Sequence, residues 1–124
     1  MKEDKVHLNL CTYTRLQYPK AIFNVDLSGL KMTMGQAMKV KRLRSSRAFP
    51  DFVMYEPRGD YKGFFLELKR EGEKLTNNSG EWKNEHIAEQ SQMIQDLVAR
   101  GYYANFAVGF ESAKMQLDRY MELS

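Results

Sequence analysis

Charged residues stand at both ends of one apolar part of the chain. Phe49-Pro50-Asp51 precedes the apolar run 52–55 (FVMY), and the run 64–68 (FFLEL) is followed by Lys69. The sequence 56–60 (EPRGD) between the runs is typical of a turn. The two runs are therefore predicted to pair as the strands of a β-hairpin, with charged residues at its open end.

The predicted register brings these charged residues together. With the turn centred near Gly59, paired residues have numbers that sum to about 118, and Asp51 lies opposite Glu67. Lys69 follows Glu67 by two residues and faces the same side of the strand. Opposed carboxylates repel each other unless a cation compensates them, and oxygen ligands suit Mg²⁺ or Mn²⁺. The pattern favours a catalytic metal site; the alternative is a turn-capping Asp51 with an ordinary Glu67–Lys69 ion pair at the rim.

Gln90 is a polar residue within an apolar helical stripe. The segment Glu85–Arg100 is predicted to be a helix that ends at Gly101, and Ile87 and Ile94 share the face of Gln90. A buried amide requires hydrogen-bond partners. Gln90 is therefore a candidate contact of the charged site, although a bond to a backbone group is the alternative.

The net charge is distributed unevenly. The chain has 124 residues and a formal charge of +3, from 19 Lys and Arg against 16 Asp and Glu. Its basic excess lies in residues 31–48, which contain no acid. Such a segment can neutralise the phosphates of DNA, although a solvated helix face is an equal alternative. The candidate DNA-binding residues are Lys31, Lys39, Lys41, Arg42, Arg44 and Arg47.

Composition excludes several classes of protein. The hydrophobic fraction of 43% is that of a globular chain, and residues 1–124 are predicted to form a single domain. A lone cysteine, Cys11, excludes an intramolecular disulfide framework. No apolar run reaches the roughly 18 residues of a membrane span, and the first residues lack the apolar stretch of a signal peptide. A cytoplasmic protein without membrane contact is therefore expected.

The remaining patterns define the elements around the hairpin. In the first helix, the predicted buried side comprises Val6, Leu10, Tyr13 and Leu16 or Gln17. The basic segment 31–47 is either a helix or a mobile loop. The order α, β, basic segment, β-hairpin, α, β, α indicates an α/β layer fold with a mixed sheet. The flanking elements are predicted at Glu3–Tyr18 (helix), Ala21–Leu27 (strand), Tyr103–Phe110 (strand) and Glu111–Leu123 (helix).

These residues resemble a known family. Pro50-Asp51, Glu67-Leu68-Lys69 and Gln90 followed by Gly101 are similar to the motif of the PD-(D/E)XK nucleases. More narrowly, they resemble the VRR-Nuc group (virus-type replication and repair nucleases), especially its small stand-alone phage members. The resemblance extends over roughly residues 3–120. It implies an α/β fold with a restriction-endonuclease-like αβββαβα core, in which helices flank a mixed β-sheet.

The resemblance also implies roles for individual residues. Asp51, Glu67 and the backbone carbonyl of Leu68 would be ligands of one or two Mg²⁺ or Mn²⁺ ions. Lys69 would position or polarise the attacking water, and Gln90 would complete the catalytic set. In related junction resolvases a glutamate of the first helix approaches the metals. Here Glu3 is the acidic residue best placed for that role, with Asp4 as the alternative.

The implied function is metal-dependent hydrolysis of phosphodiester bonds in DNA. The enzyme would be a structure-selective endonuclease similar to Holliday-junction resolvases, acting as a homodimer on branched or four-way DNA in the cytoplasm, of a bacterial host if phage-encoded. The alternatives are a non-catalytic nucleic-acid-binding module that retains the fold, and a subunit of a restriction or RNA-processing endonuclease. The motif assigns nothing to His7 or His86, which are interpreted as ordinary surface or helix-end histidines.

Overall fold

The computed structural model of the chain describes residues 3–26, 32–46 and 48–124, and the side chains from Lys5 onward within them. These residues follow the predicted order, with a helix inside the basic segment. The elements are α1 (Glu3–Gln17), β1 (Phe23–Val25), α2 (Met34–Arg42), β2 (Phe52–Met54), β3 (Phe64–Lys69), α3 (Glu85–Ala99), β4 (Tyr103–Val108) and α4 (Phe110–Met121).

The strands form a mixed sheet in the order β1-β2-β3-β4. β1 pairs with β2 and β2 with β3 in antiparallel fashion, whereas β3 and β4 are parallel. The observed pairs Phe52–Leu66 and Val53–Phe65 have the register predicted for a turn centred near Gly59. The same register, continued by one residue, places Asp51 beside Glu67.

The two faces of the sheet serve different purposes. Alternate residues of β3, among them Leu66 and Leu68, point to one face and are fully buried beneath α1 and α4. The residues between them, Glu67 and Lys69, point to the opposite face, which α3 covers. Glu67 and Lys69 are therefore separated from the apolar core by the thickness of the sheet. The core cluster comprises Val6, Leu10, Phe52, Met54, Phe64, Leu66, Leu68, Ala107, Ala113, Leu117 and Tyr120.

The buried face of α1 differs from the prediction in its last turn. Val6 and Leu10 are fully buried, but Leu16 is 79% exposed, and Gln17 is also exposed. Thr14 takes the buried position instead, because its hydroxyl donates a hydrogen bond to the Leu10 carbonyl and no longer needs water. The observed buried face of α1 is therefore rotated by part of a turn relative to the predicted one.

The helices begin and end at recognisable signals. The Asn84 side chain accepts a hydrogen bond from the Ile87 N–H and caps α3, and Gly101, at φ +96°, ends it as predicted. Thr33 and Gln36 form a capping box at the start of α2. None of the residues of α2 is buried. No helix in the described part of the chain is long and apolar enough to cross a membrane.

Candidate active site

The two carboxylates meet at the open end of the β2–β3 hairpin. Asp51 immediately precedes β2, and its Oδ2 accepts a hydrogen bond of 2.9 Å from the Leu68 N–H. Glu67 and Lys69 are only 3% and 6% exposed, and Lys69 Nζ lies 3.8 Å from Glu67 Oε1. The pair is therefore buried, which excludes an ordinary ion pair at the rim of the sheet.

Gln90 joins the two charged residues of β3. It lies on the buried face of α3, where its Oε1 accepts a hydrogen bond of 2.8 Å from Lys69 Nζ. Its Nε2 donates one of 2.7 Å to Glu67 Oε1. The amide thus bonds to two side chains of the site rather than to a backbone group, and it fixes the ammonium beside the carboxylate.

The electrostatic state of Asp51 reflects this crowding. Burial raises the pKa of Asp51, and this effect outweighs four that lower it: the charge of His7, the Leu68 N–H, a hydrogen bond with Glu67 and the charge of Lys69. The ionised carboxylate is thus held where desolvation disfavours it. Perturbed pKa values are concentrated at the functional sites of proteins, so Asp51 is a candidate functional residue.

Two histidines border the site, and the sequence interpretation missed their contacts. His7 Nε2 lies 3.7 Å from Asp51 Oδ2, so His7 is no ordinary surface histidine. His86 is exposed, as expected of a helix-end residue, but its Nε2 lies 3.1 Å from Gln90 Nε2. The sequence contains a hint of each contact. His86 precedes Gln90 by four residues, so the two side chains are neighbours on one helical face. His7 precedes Leu10 by three residues and follows Val6, which places it next to the observed buried face of α1.

Some of the predicted site residues lie outside the described part of the structure. Glu3 is the first residue of α1, one turn before His7, but its side chain and that of Asp4 are not described. Lys31 and Arg47 also lie outside the described residues. Their proposed roles therefore remain predictions.

The described basic residues fall into two groups. Lys39, Lys41 and Arg42 are exposed on α2. Arg44 instead donates a hydrogen bond of 2.8 Å to the Asp26 carboxylate and stacks over the Phe49 ring, at 4.9 Å from its centroid. The first group presents its charge to solvent, whereas the charge of Arg44 is engaged within the protein.

The donors present are of the type that a divalent cation prefers. Among the described side chains, no group of three or more His, Cys, Asp or Glu residues is arranged to hold a metal ion. The site offers two adjacent carboxylates, Asp51 and Glu67, in a buried setting that disfavours the charge of Asp51. A hard cation would relieve that charge, so the donor set fits Mg²⁺ or Mn²⁺.

Comparison with solved structures identifies the fold. The chain is similar to a protein described as "VRR_NUC domain protein", with a TM-score of 0.75 and 22% sequence identity over 100% of this chain and 91% of that chain. A scan against protein-family models and a search of curated proteins gave no match. The chain therefore has the VRR-Nuc fold, a nuclease-like α/β fold with a mixed sheet, as the sequence predicted.

Proposed function

We propose that this chain is a metal-dependent endonuclease that hydrolyses phosphodiester bonds in DNA. One observation carries the proposal: the buried hydrogen-bonded series Glu67–Gln90–Lys69 lies beside Asp51 on a VRR-Nuc fold. Two carboxylates, a lysine and a glutamine in direct contact are poorly suited to stabilising a hairpin. They are well suited to binding a cation and activating water beside it.

The cation would be held by Asp51, Glu67 and the backbone carbonyl of Leu68, with Glu3 as a further candidate ligand. We propose one or two Mg²⁺ or Mn²⁺ ions. Such an ion supplies Lewis acidity and lowers the pKa of a bound water. The Leu68 N–H bond to Asp51 Oδ2 fixes the orientation of that carboxylate, because it engages one of its two oxygens.

In this proposal Lys69 acts on the reacting groups, and Gln90 positions Lys69. Gln90 Oε1 holds the Lys69 ammonium in a fixed place. The positive charge there favours an attacking hydroxide and stabilises the negative charge that develops on the phosphate. Because the ammonium is already positioned, no reorganisation is needed when the substrate arrives.

The substrate proposal rests on charge and symmetry. Lys39, Lys41 and Arg42 expose positive charge on α2, and together with Lys31 and Arg47 they would contact the DNA backbone. The sequence contains no base-reading motif, so recognition of DNA shape is proposed. A homodimer would present two sites to the two-fold symmetry of a four-way junction, each cutting one strand.

The test compares cleavage of a four-way junction and of linear duplex DNA in the presence of Mg²⁺. We expect the wild type to cut the junction preferentially, and Lys69→Ala and Asp51→Asn to lose about 10³-fold in rate while they still fold and bind DNA. Equal cutting by Lys69→Ala would overturn the site assignment. Binding without cutting by the wild type would indicate a non-catalytic module. Light scattering on the protein, free and with junction DNA, tests the homodimer.

A further inference from the structure

Arg44 lies between the basic helix and the proposed catalytic strand. It follows the end of α2 by two residues, and its guanidinium donates to Asp26 Oδ2 at 2.8 Å. The two side chains are only 16% and 23% exposed, so the pair is partly shielded from solvent. Ion pairs of this kind are stronger and more fixed in geometry than exposed ones.

Asp26 is in turn bonded to the residue that begins the site. Its backbone N–H donates a hydrogen bond of 2.7 Å to the Asp51 carbonyl, which extends the β1–β2 ladder by one position beyond Val25–Phe52. One residue therefore makes two contacts: its backbone holds Asp51, and its carboxylate holds Arg44.

Arg44 also contacts the segment before Asp51 directly. Its guanidinium carbon lies 4.9 Å from the centre of the Phe49 ring, two residues before Asp51. The segment 49–51 thus receives one contact from the Arg44 plane and one from the Asp26 backbone. The guanidinium pairs with the carboxylate through fixed N–H donors while its plane stacks on the ring, whereas a lysine ammonium is a point charge on a flexible stem and has no such plane.

These contacts are needed because the local secondary structure is short. β1 and β2 have three residues each, and Asp51 lies just outside the paired residues of β2. The end of such a short ladder opens readily unless other contacts hold it. A displacement of about 1 Å at a reacting group is sufficient to reduce a rate by roughly 10²-fold.

We infer that Arg44 is a positioning residue that fixes the backbone leading into Asp51, and that it does not serve as a phosphate contact. The inference rests on the proposed nuclease function and revises the role predicted for Arg44 from the basic segment. Arg44 then acts on the rate of the reaction through Asp26 and Phe49, whereas Lys41 and Arg42 act on DNA affinity.

The test separates the rate from the affinity. For Arg44→Ala we expect kcat to fall by about 10- to 100-fold, while KM, the Kd for DNA and its salt dependence stay at the wild-type values. Arg44→Lys retains the positive charge but loses the planar guanidinium that stacks on the Phe49 ring. Its kcat should therefore resemble that of Arg44→Ala. Asp26→Asn should lower kcat similarly, and the double variant should lose no more than either single one.

Arg42→Ala is the matched control, because it removes the same charge from the exposed face of α2. It should weaken DNA binding and reduce the slope of log K against log salt by about one. The inference on Arg44 is overturned if Arg44→Ala shows this same loss of affinity and slope, or if Arg44→Lys restores full activity.

The inference and the proposed function fail in different ways. A wild-type protein that cleaves no more than Lys69→Ala overturns the nuclease function and the inference with it. An active wild type in which Arg44→Ala and Asp26→Asn have multiplicative effects on kcat overturns the inference alone. Circular dichroism of each variant establishes that the comparison concerns folded protein.

Discussion

Two aspartates of this protein have environments that shift their pKa values in opposite directions. Burial raises the pKa of Asp51, because its partners do not fully compensate desolvation. Burial also acts on Asp118, but hydrogen bonds from Tyr18, Tyr13 and Lys114 outweigh it and lower the pKa of Asp118. The two tyrosine hydroxyls donate to this carboxylate over 2.6–2.8 Å.

The opposite pKa shifts of the two aspartates indicate different roles for the two regions. Asp118 lies in α4 and accepts hydrogen bonds from Tyr13 of α1 and from Tyr18, the residue that follows α1. The Asp118 charge is therefore surrounded by donors and stabilises the fold. Burial, together with the hydrogen bond to Asp118 and its charge, raises the pKa of Tyr13 to about 12, because all three disfavour the phenolate. Asp51 shares its surroundings with a second carboxylate, Glu67. In the proposed nuclease this arrangement would favour the binding of a cation, which would relieve the repulsion between the two carboxylates.

The largest expected effect is the loss of activity in Asp51→Asn, by about 10³-fold. The same variant should be at least as stable as the wild type at pH 7 in metal-free buffer, because it removes a buried charge and keeps an oxygen for the Leu68 N–H. Urea unfolding in EDTA and the junction assay measure the two quantities. A clear loss of stability in Asp51→Asn would abolish the contrast with Asp118.

Asp118→Asn should show the reverse pattern. It removes the charge that strengthens the hydrogen bonds from Tyr13, Tyr18 and Lys114, and we expect the free energy of unfolding to fall by about 2 kcal/mol. For a domain of this size that corresponds to a Tm lower by roughly 8 °C. Cleavage at 25 °C should be unchanged, since Asp118 lies across the sheet from the site. Tyr13→Phe and Tyr18→Phe, each removing one donor, are controls that should have smaller effects.

The stabilisation by Asp118 should depend on pH. Because the pKa of Asp118 is lower in the folded than in the unfolded protein, its contribution is fully present above the unfolded value near 3.9 and is lost as pH falls through the folded value. The difference in unfolding free energy between wild type and Asp118→Asn should therefore be constant from pH 7 to about 5 and shrink below about 4. Urea titrations across this range test the sign, and a difference that grows on acidification would contradict it.

His86→Ala should have the smallest effect. It removes the ring that contacts Gln90 Nε2 but leaves the bonds of Gln90 to Lys69 and Glu67. One hydrogen bond contributes about 0.5–1.5 kcal/mol, so the cleavage rate should fall by about 2- to 10-fold. Because His86 is exposed, Tm should change little. An effect as large as that of Asp51→Asn would show that His86 itself takes part in the reaction.

The sequence predicts the hairpin well because its register has few alternatives. A shift by one residue would turn Phe52 and Leu66 away from the core and Glu67 into it, so the apolar pattern and the turn near Gly59 specify the pairing together. The meeting of Asp51 and Glu67 follows from that register alone. The α3 helix is likewise bounded by an N-cap and a glycine that are visible in the sequence.

The first helix and the basic segment are harder to predict. The rotation of α1 determines which of Thr14 and Leu16 is buried, and α1 is held against α4 by contacts such as that of Tyr13 with Asp118, 105 positions away. Thr14 can be buried like an apolar residue because its hydroxyl donates a hydrogen bond to the helix backbone. A pattern of apolar and polar residue types does not show this bond. In the sequence, nothing distinguishes Arg44 from the other basic residues of its segment. Its contacts with Asp26 and Phe49 distinguish it only in the folded chain. For α1 the deciding contacts are distant in sequence, whereas for Arg44 they depend on how the chain folds back around it.

The contact between Tyr13 and Asp118 spans 105 positions, whereas that between Asp51 and Leu68 spans 17. At typical rates of translation, α1 leaves the ribosome roughly 5 to 20 seconds before α4 can cover it. During that interval Val6 and Leu10 lack the cover that α4 provides in the folded protein. The hairpin with the charged end has no such delay. On the ribosome, the nascent chain is thus expected to pair this hairpin before α4 emerges, and to leave part of the apolar face of α1 open to chaperones until then.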